Sequence, residues 1–127
     1  MEAHASGKRV TISESWLYKA LPQELVNGGL GNAETIMNRD FYSFWYPLDA
    51  RFMQDIVDLS TVTQIDFTSF FWMWNFFAYL DYDTTPGNLS TVELNRLINQ
   101  ALISNLRRGT LSPLGTYYHQ RLTNQAK

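Results

Sequence analysis

The sequence contains no cysteine and little charge. Without Cys, neither a disulfide nor a thiolate metal site can form in this 127-residue chain. Charged residues make up 17% and the net charge is −2, so the basic surface that nucleic acids or anionic membranes need is missing. His4 and His119 show no ligand spacing, so we predict no metal site and no cofactor. The length suits a single domain over 1–127.

Long apolar runs are also missing. The aromatic run over 70–82 has no charge until Asp81, but it is shorter than the about 20 apolar residues of a membrane span. The first residues lack the apolar stretch of a secretory signal, and the sequence does not determine a compartment. Aromatic residues are abundant instead, at 15%, and their runs over 41–46 and 70–82 predict a buried core.

Two amphipathic helices are predicted. Pro47 suits the first position of a helix over 47–60. We expect one apolar stripe of this helix to be buried: Leu48, Phe52, Ile56 and Leu59. We expect its acidic side to be solvated: Asp49, Asp55 and Asp58. The second helix, 90–108, starts with the capping box of Ser90 and Glu93 and stops at Gly109.

Two alternating runs predict strands over 8–13 and 64–71. Because a helix joins them, the strands should be parallel, in an α/β fold of strand-helix-strand-helix order. The C-terminal ends of such strands lie on one face, where α/β proteins carry their sites. Glu14 ends the first strand, and Trp72 and Trp74 end the second. This topology therefore predicts that the acid and the tryptophans lie together.

Three segments carry a resemblance to a known family. GKRVTISESW (7–16) resembles the seventh-strand segment of retaining (β/α)8-barrel glycoside hydrolases, the clan of cellulases, mannanases and β-galactosidases, in which Thr/Ser-Glu ends the strand. IDFTSFFWMW (65–74) resembles the eighth strand, which commonly ends in a tryptophan. LSPLGTYYHQRL (111–122) is similar to the end of such barrels. The resemblance implies a partial TIM barrel, with this chain as the last quarter of the (β/α)8 fold.

The resemblance also implies roles for single residues. Glu14 would be the nucleophile, and Trp16 with Trp72 or Trp74 would bind the sugar. Retaining hydrolysis uses two carboxyl groups about 5–5.5 Å apart. The acid/base residue of the family follows the fourth strand, and we expect it to be absent from this chain. The implied ligand is carbohydrate, the implied partner is a complementary barrel chain or a second copy, and the isolated chain is expected to be inactive.

Alternatives to these roles stay open. Glu14 can be a solvated strand-end acid without chemistry, and Glu34 and Asp40 lie on the expected face without any motif. Asp81 and Asp83 either touch sugar hydroxyls at a rim or shape a turn. The whole chain can instead be a small non-enzymatic protein-binding module, of the inhibitor or immunity type, with an aromatic core and contact patch. The second aromatic run would then be a buried helix.

Overall fold

The structure, a computed structural model, describes residues 2–17, 19–26, 38–70, 73–85 and 88–125. Its helices and strands are α1 (Glu2–Ala5), β1 (Thr11–Ser15), α2 (Pro22–Val26), α3 (Tyr46–Val62), β2 (Phe67–Phe70), α4 (Thr91–Arg108) and α5 (Pro113–Gln125). Short 3₁₀ turns at Ser43–Trp45 and Met73–Phe76 precede α3 and follow β2. The described chain is of the α/β class, as predicted. None of its described helices is long and apolar enough to cross a membrane.

The two strands form a parallel pair, which confirms the predicted topology. Thr11 lies beside Phe67, and Ser15 lies beside Phe70. The predicted bounds of the first strand were wrong, because pairing begins at Thr11 and continues through Ser15. The preceding backbone is fixed by Asp66, whose carboxylate accepts from the N–H of Val10 at 2.7 Å. Glu14 therefore lies inside β1 and not after it.

The helices α3 and α5 cover one face of this sheet. Ser60 of α3 hydrogen-bonds Thr68 through their hydroxyls at 2.7 Å, and Tyr118 of α5 meets the Phe70 ring edge-on at 5.3 Å. We call this side the covered face; it carries Ser15, Thr68 and Phe70. The other side, the open face, carries Ser13, Glu14 and Phe67. Phe67 is 60% exposed there, so the described chain leaves an apolar ring of the sheet in contact with solvent.

The contacts at the start of α5 explain the residues Ser112 and Gly115 in the sequence LSPLG. The hydroxyl of Ser112 donates to the carbonyl of Asn75 and accepts from the N–H of Gly115 at 3.1 Å, which caps the helix. A Cβ on Gly115 would lie 2.2 Å from the carbonyl oxygen of Phe76, so only glycine permits this approach. Tyr118 then stacks on Phe76 at 4.9 Å. These contacts fix α5 against the turn that follows β2.

The helix α4 forms where the sequence predicts it. Ser90 and Glu93 make both hydrogen bonds of the capping box, and Gly109 ends the helix with a φ of 62°. Its buried residues, Leu94 and Ile98, pack on the loops that follow the two strands. The core between α4 and these loops consists of Phe41, Tyr42, Ala78, Leu80, Leu94 and Ile98. Both aromatic runs thus contribute to a buried core, although some of their rings remain exposed.

The helix α3 buries a different stripe from the predicted one. Its buried residues are Asp49, Met53 and Val57. Leu48 and Leu59, which were expected inside, are 44% and 50% exposed. Which residues of α3 are buried depends on the elements that pack against it. Met53 and Val57 form one cluster with Leu114 of α5, and the phenol of Tyr79 donates a hydrogen bond to Asp49. The expectation of a solvated Asp49 was wrong, because this carboxylate has buried partners.

Candidate active site

The carboxylate of Glu14 lies on the open face, one residue before β1 ends. The pairing is irregular between Ile12 and Ser15, so two residues of β1, Ser13 and Glu14, face the single residue Ser69 of β2. Such a β-bulge re-aims the side chains next to it and is common beside active sites. Both Ser13 and Glu14 are exposed as a result. The described strand thus presents an accessible carboxylate at its C-terminal end.

The opposite side of the same strand end encloses a small cavity. Its volume is about 40 Å³, and its polar lining comes from Ser15, Lys19, Asp49 and Asn75. Among the described residues, the Ser15 hydroxyl and the Asn75 side-chain oxygen find no hydrogen-bond partner. Ligand pockets usually measure about 300–1,000 Å³. This cavity is too small for a sugar ring, so a sugar that reacts with Glu14 would have to bind on the open face.

A buried charge cluster fixes the segment that follows β1. The ammonium of Lys19 lies 2.7 Å from an Asp49 oxygen and 3.8 Å from an Asp40 oxygen. It also lies 5.5 Å from the centroid of the Trp45 ring, within reach of a cation–π interaction. The phenol of Tyr79 donates to the other oxygen of Asp49 at 2.6 Å. These groups connect the segment after β1 to α3 and to the loop after β2.

Burial dominates the electrostatics of this cluster. Asp40 is only 2% exposed, and burial raises the pKa of its carboxyl to about 6. The charge of Lys19 and the hydrogen bond from Trp16 both oppose that rise in pKa. Burial, followed by the Asp49 carboxylate beside it, raises the pKa of the Tyr79 phenol well above its ordinary value. The phenol is therefore protonated at neutral pH and serves Asp49 as a hydrogen-bond donor.

The sequence contains one signal of this cluster. Lys19 is a single lysine within the run WLYKAL, and an isolated lysine among apolar residues is buried only when a carboxylate pairs with it. Asp40, which the sequence offers as a possible site acid, is instead one of the buried carboxylates near Lys19. The partners could not be assigned from spacing, because Lys19 and Asp49 lie 30 positions apart in different elements.

The three tryptophans that were predicted to bind sugar differ in their surroundings. Trp16 follows β1 directly, is half-buried, and donates its indole N–H to Asp40 at 3.1 Å. Trp74 lies in the turn after β2, is 40% exposed, and its ring packs against that of Phe41 at 6.2 Å. Trp72 lies outside the described residues. Trp74 is thus the described tryptophan whose ring remains accessible to a ligand.

A second carboxyl group for Glu14 is not supplied by the buried acids. Asp40 and Asp49 are both occupied by Lys19, and neither is accessible to a substrate. Glu34 lies outside the described residues. In the described ranges, no three side chains of His, Asp or Glu converge as metal ligands. The described residues therefore offer one exposed carboxylate in β1 and, separately, one accessible tryptophan in the turn after β2.

Comparisons of the chain with protein-family models, with curated proteins and with solved structures found no match.

Proposed function

We propose that this chain is the seventh- and eighth-strand portion of a retaining glycoside hydrolase barrel, with Glu14 as the nucleophile. The observation that supports it is the exposed carboxylate at the C-terminal end of a parallel strand, on the face of the sheet that no described helix covers. Barrel enzymes carry their catalytic groups at these strand ends. A nucleophilic carboxylate must be reachable by the sugar carbon, and Glu14 meets that requirement.

The arrangement of the two faces agrees with this proposal. In a barrel, helices cover the outside of each strand, and side chains of the other strands fill the inside. Here α3 and α5 occupy one side, whereas Phe67 and Glu14 are exposed on the other. Two parallel strands cannot close a barrel alone, so the proposal requires further strands from outside these 127 residues. Those strands would also bring the acid/base carboxyl group.

The test is turnover in the completed enzyme. The chain is produced together with the product of the reading frame upstream of it, and hydrolysis of dinitrophenyl glycosides is followed. Such a leaving group needs no protonation, so the assay isolates the step of the nucleophile. Glu14→Gln should lower turnover by about three orders of magnitude or more, because the ionised carboxylate is lost. The control Asp55→Asn removes an exposed carboxylate of α3 and should leave turnover unchanged.

A complex in which Glu14→Gln hydrolyses at the unmodified rate would refute the proposed role of Glu14.

The second candidate function is a protein-binding module without catalysis. The observation that favours it is exposed apolar surface on both sides of the sheet, with Phe67 60% exposed on the open face and Leu59 50% exposed on α3. At about 25 cal/mol per Å², covering a few hundred Å² of such surface stabilises a complex by several kcal/mol. Sedimentation equilibrium separates the candidates: a barrel portion associates, either with itself or with its completing chain. A monomer at high concentration with a cooperative thermal transition favours the module.

A further inference from the structure

A second exposed aromatic feature lies on the loops that follow the two strands. The rings of Phe44 and Tyr82 meet at 90°, with centroids 5.4 Å apart, and form a corner. Each of the two residues is 52% exposed. Neither belongs to the open face of the sheet, and neither was singled out by the sequence. We call this feature the Phe44–Tyr82 corner.

Buried structure holds the corner in place. Tyr42 lies behind it, stacked on Phe44 at 5.8 Å and edge-on to Tyr82 at 5.2 Å. The backbone around it forms a parallel bridge between Tyr42 and Leu80, in which the N–H of Ser43 donates to the Leu80 carbonyl at 2.8 Å. The rings are thus fixed before any ligand arrives, so binding does not have to order them.

Hydrogen-bond acceptors surround the two rings. An open cleft of about 440 Å³ is lined by the rings together with Ser43, Asp81 and Asp83. One oxygen of Asp81 accepts from the N–H of Asp83 at 3.0 Å and shapes the local turn, as one of the two interpretations of Asp81 predicted. In the part of the chain that the structure describes, the carboxylate of Asp83 has no hydrogen-bond partner.

This combination selects the chemistry of the ligand. The ring faces suit a flat apolar surface, and carboxylates accept hydrogen bonds but donate none. The ligand should therefore carry several hydrogen-bond donors and present one apolar face; a cation would meet the same rings and carboxylates, and the proposed function selects the neutral ligand with hydroxyl donors. An anion is repelled by the two carboxylates, and a protein contact is disfavoured because charge is depleted at the centre of protein interfaces. We propose that the Phe44–Tyr82 corner binds one pyranose unit of a neutral oligosaccharide.

The choice of a sugar rests on the proposed function, which it deepens by adding a binding subsite beyond the nucleophile. The ring face of Tyr82 or Phe44 would carry the C–H face of the pyranose, and Asp83 would accept from its hydroxyls. A rim of this kind positions a chain and takes no part in bond cleavage. Sugar binding at the corner can therefore be measured separately from turnover.

The test is an NMR titration of the full 127-residue chain with neutral β-1,4-linked hexasaccharides of glucose, mannose and xylose. Saturable shifts should appear at Ser43, Phe44 and Tyr82 for at least one sugar, with a dissociation constant of about 1–10 mM, as for a single weak subsite. Tyr82→Ala should weaken binding by about tenfold or more, because a stacking face is lost. Tyr82→Phe keeps the ring and should bind within about threefold of the unmodified chain.

Two further arms keep the result decisive if Tyr82→Ala disturbs the fold. Asp83→Asn keeps the shape and weakens acceptance, so it should reduce affinity by a few fold. Asp55→Asn, which removes an exposed carboxylate of α3, should bind the sugar at the corner with unchanged affinity. The inference is overturned if no hexasaccharide shifts these residues, if Tyr82→Ala binds as well as the unmodified chain, or if only tetramethylammonium occupies the corner, which would make it a cation–π site. Corner binding without turnover would contradict the proposed function alone.

Discussion

The two faces of the small sheet differ in burial: the residues of the covered face are packed under helices, and those of the open face are exposed to solvent. On the covered face, Ser15 and Phe70 lie among helices, next to a buried lysine with two carboxylate neighbours. On the open face, Glu14 and Phe67 are exposed. The covered face carries the packing and the charge pairing that stabilise the fold. The open face contributes little to this packing and charge pairing. A residue there can take part in a reaction because its side chain does not stabilise the fold.

The contrast gives a rule for substitutions. A change on the covered side should alter stability and act on function only through the fold. A change on the open face should alter function at nearly constant stability.

The largest loss of stability is expected from Lys19→Met. The substitution leaves the carboxylates of Asp40 and Asp49 buried without their cation. Breaking a buried pair in this way costs about 3–5 kcal/mol. Arg51→Met is the matched control, because it removes the exposed partner of Asp55 and should cost less than about 0.5 kcal/mol. Urea unfolding measures both, and a Lys19→Met variant as stable as the control would contradict the role of the cluster.

A smaller loss is expected from Gly115→Ala. The new Cβ would lie 2.2 Å from the Phe76 carbonyl oxygen, so α5 or the turn after β2 must move. Overpacking of this kind costs about 1–3 kcal/mol, although alanine alone would favour the helix by about 1 kcal/mol. Thr116→Ala, at the next and exposed position of the helix, should be neutral or slightly stabilising. Thermal unfolding compares the two, and a Gly115→Ala variant with a raised transition temperature would rule out the close approach.

The raised pKa of Asp40 should make the free energy of unfolding depend on pH. The pKa of Asp40 is about 6 in the folded chain and near its ordinary value of 3.8 when unfolded. The stabilisation linked to this group is thus fully present below about pH 4 and is lost as the pH rises through about 6. Between these limits, Asp40→Asn should gain about 2 kcal/mol of unfolding free energy relative to the unmodified chain.

Glu24 is the control for Asp40, because its pKa is lowered and its effect on stability changes with pH in the opposite direction. The backbone N–H of Leu21 and the guanidinium of Arg39 hold the pKa of Glu24 below its ordinary range. Its stabilisation is present above that range and is lost as the pH falls through the lowered pKa. Glu24→Gln should therefore lose stability relative to the unmodified chain as the pH rises. Parallel pH profiles for Asp40→Asn and Glu24→Gln would show that burial does not set the pKa of Asp40.

The smallest effects on stability are expected on the open face. Glu14→Gln and Phe67→Ser remove a charge and an exposed ring without breaking a described contact. Exposed substitutions of this kind usually change stability by less than about 0.5 kcal/mol. Urea unfolding of the isolated chain at low concentration is the measurement. A loss above about 2 kcal/mol in either variant would mean that the open face is a structural surface.

Local signals explain which parts of the fold the sequence predicted. The bounds of α4 depend on Ser90, Glu93 and Gly109, which act within one helix turn of each end. The parallel pairing follows from a helix between two alternating runs. The stripe of α3 could not be predicted, because periodicity gives the spacing of a face and not the partner that covers it. Asp49 is buried owing to Lys19 and Tyr79, which lie in other elements.

The candidate site was predictable in part for the same reason. The alternating run predicted the strand that carries Glu14, but not that its pairing continues through Ser15 and leaves Glu14 inside the strand. The hydrogen bond of Trp16 to Asp40 depends on how a long loop returns to the strand, and no local pattern encodes that path. The Phe44–Tyr82 corner likewise depends on two loops that meet only through the Tyr42–Leu80 bridge.

The role of Glu14 is tested most directly by trapping the covalent intermediate. The chain, together with its completing chain, is treated with a dinitrophenyl 2-deoxy-2-fluoroglycoside. The carboxylate attacks the anomeric carbon, dinitrophenolate leaves, and the fluorine slows hydrolysis of the resulting ester. Peptide mass spectrometry should then find one fluoroglycosyl group per chain, on the peptide that contains Glu14, and none in Glu14→Gln. An active complex labelled at any other residue, or equally labelled in Glu14→Gln, would contradict the account.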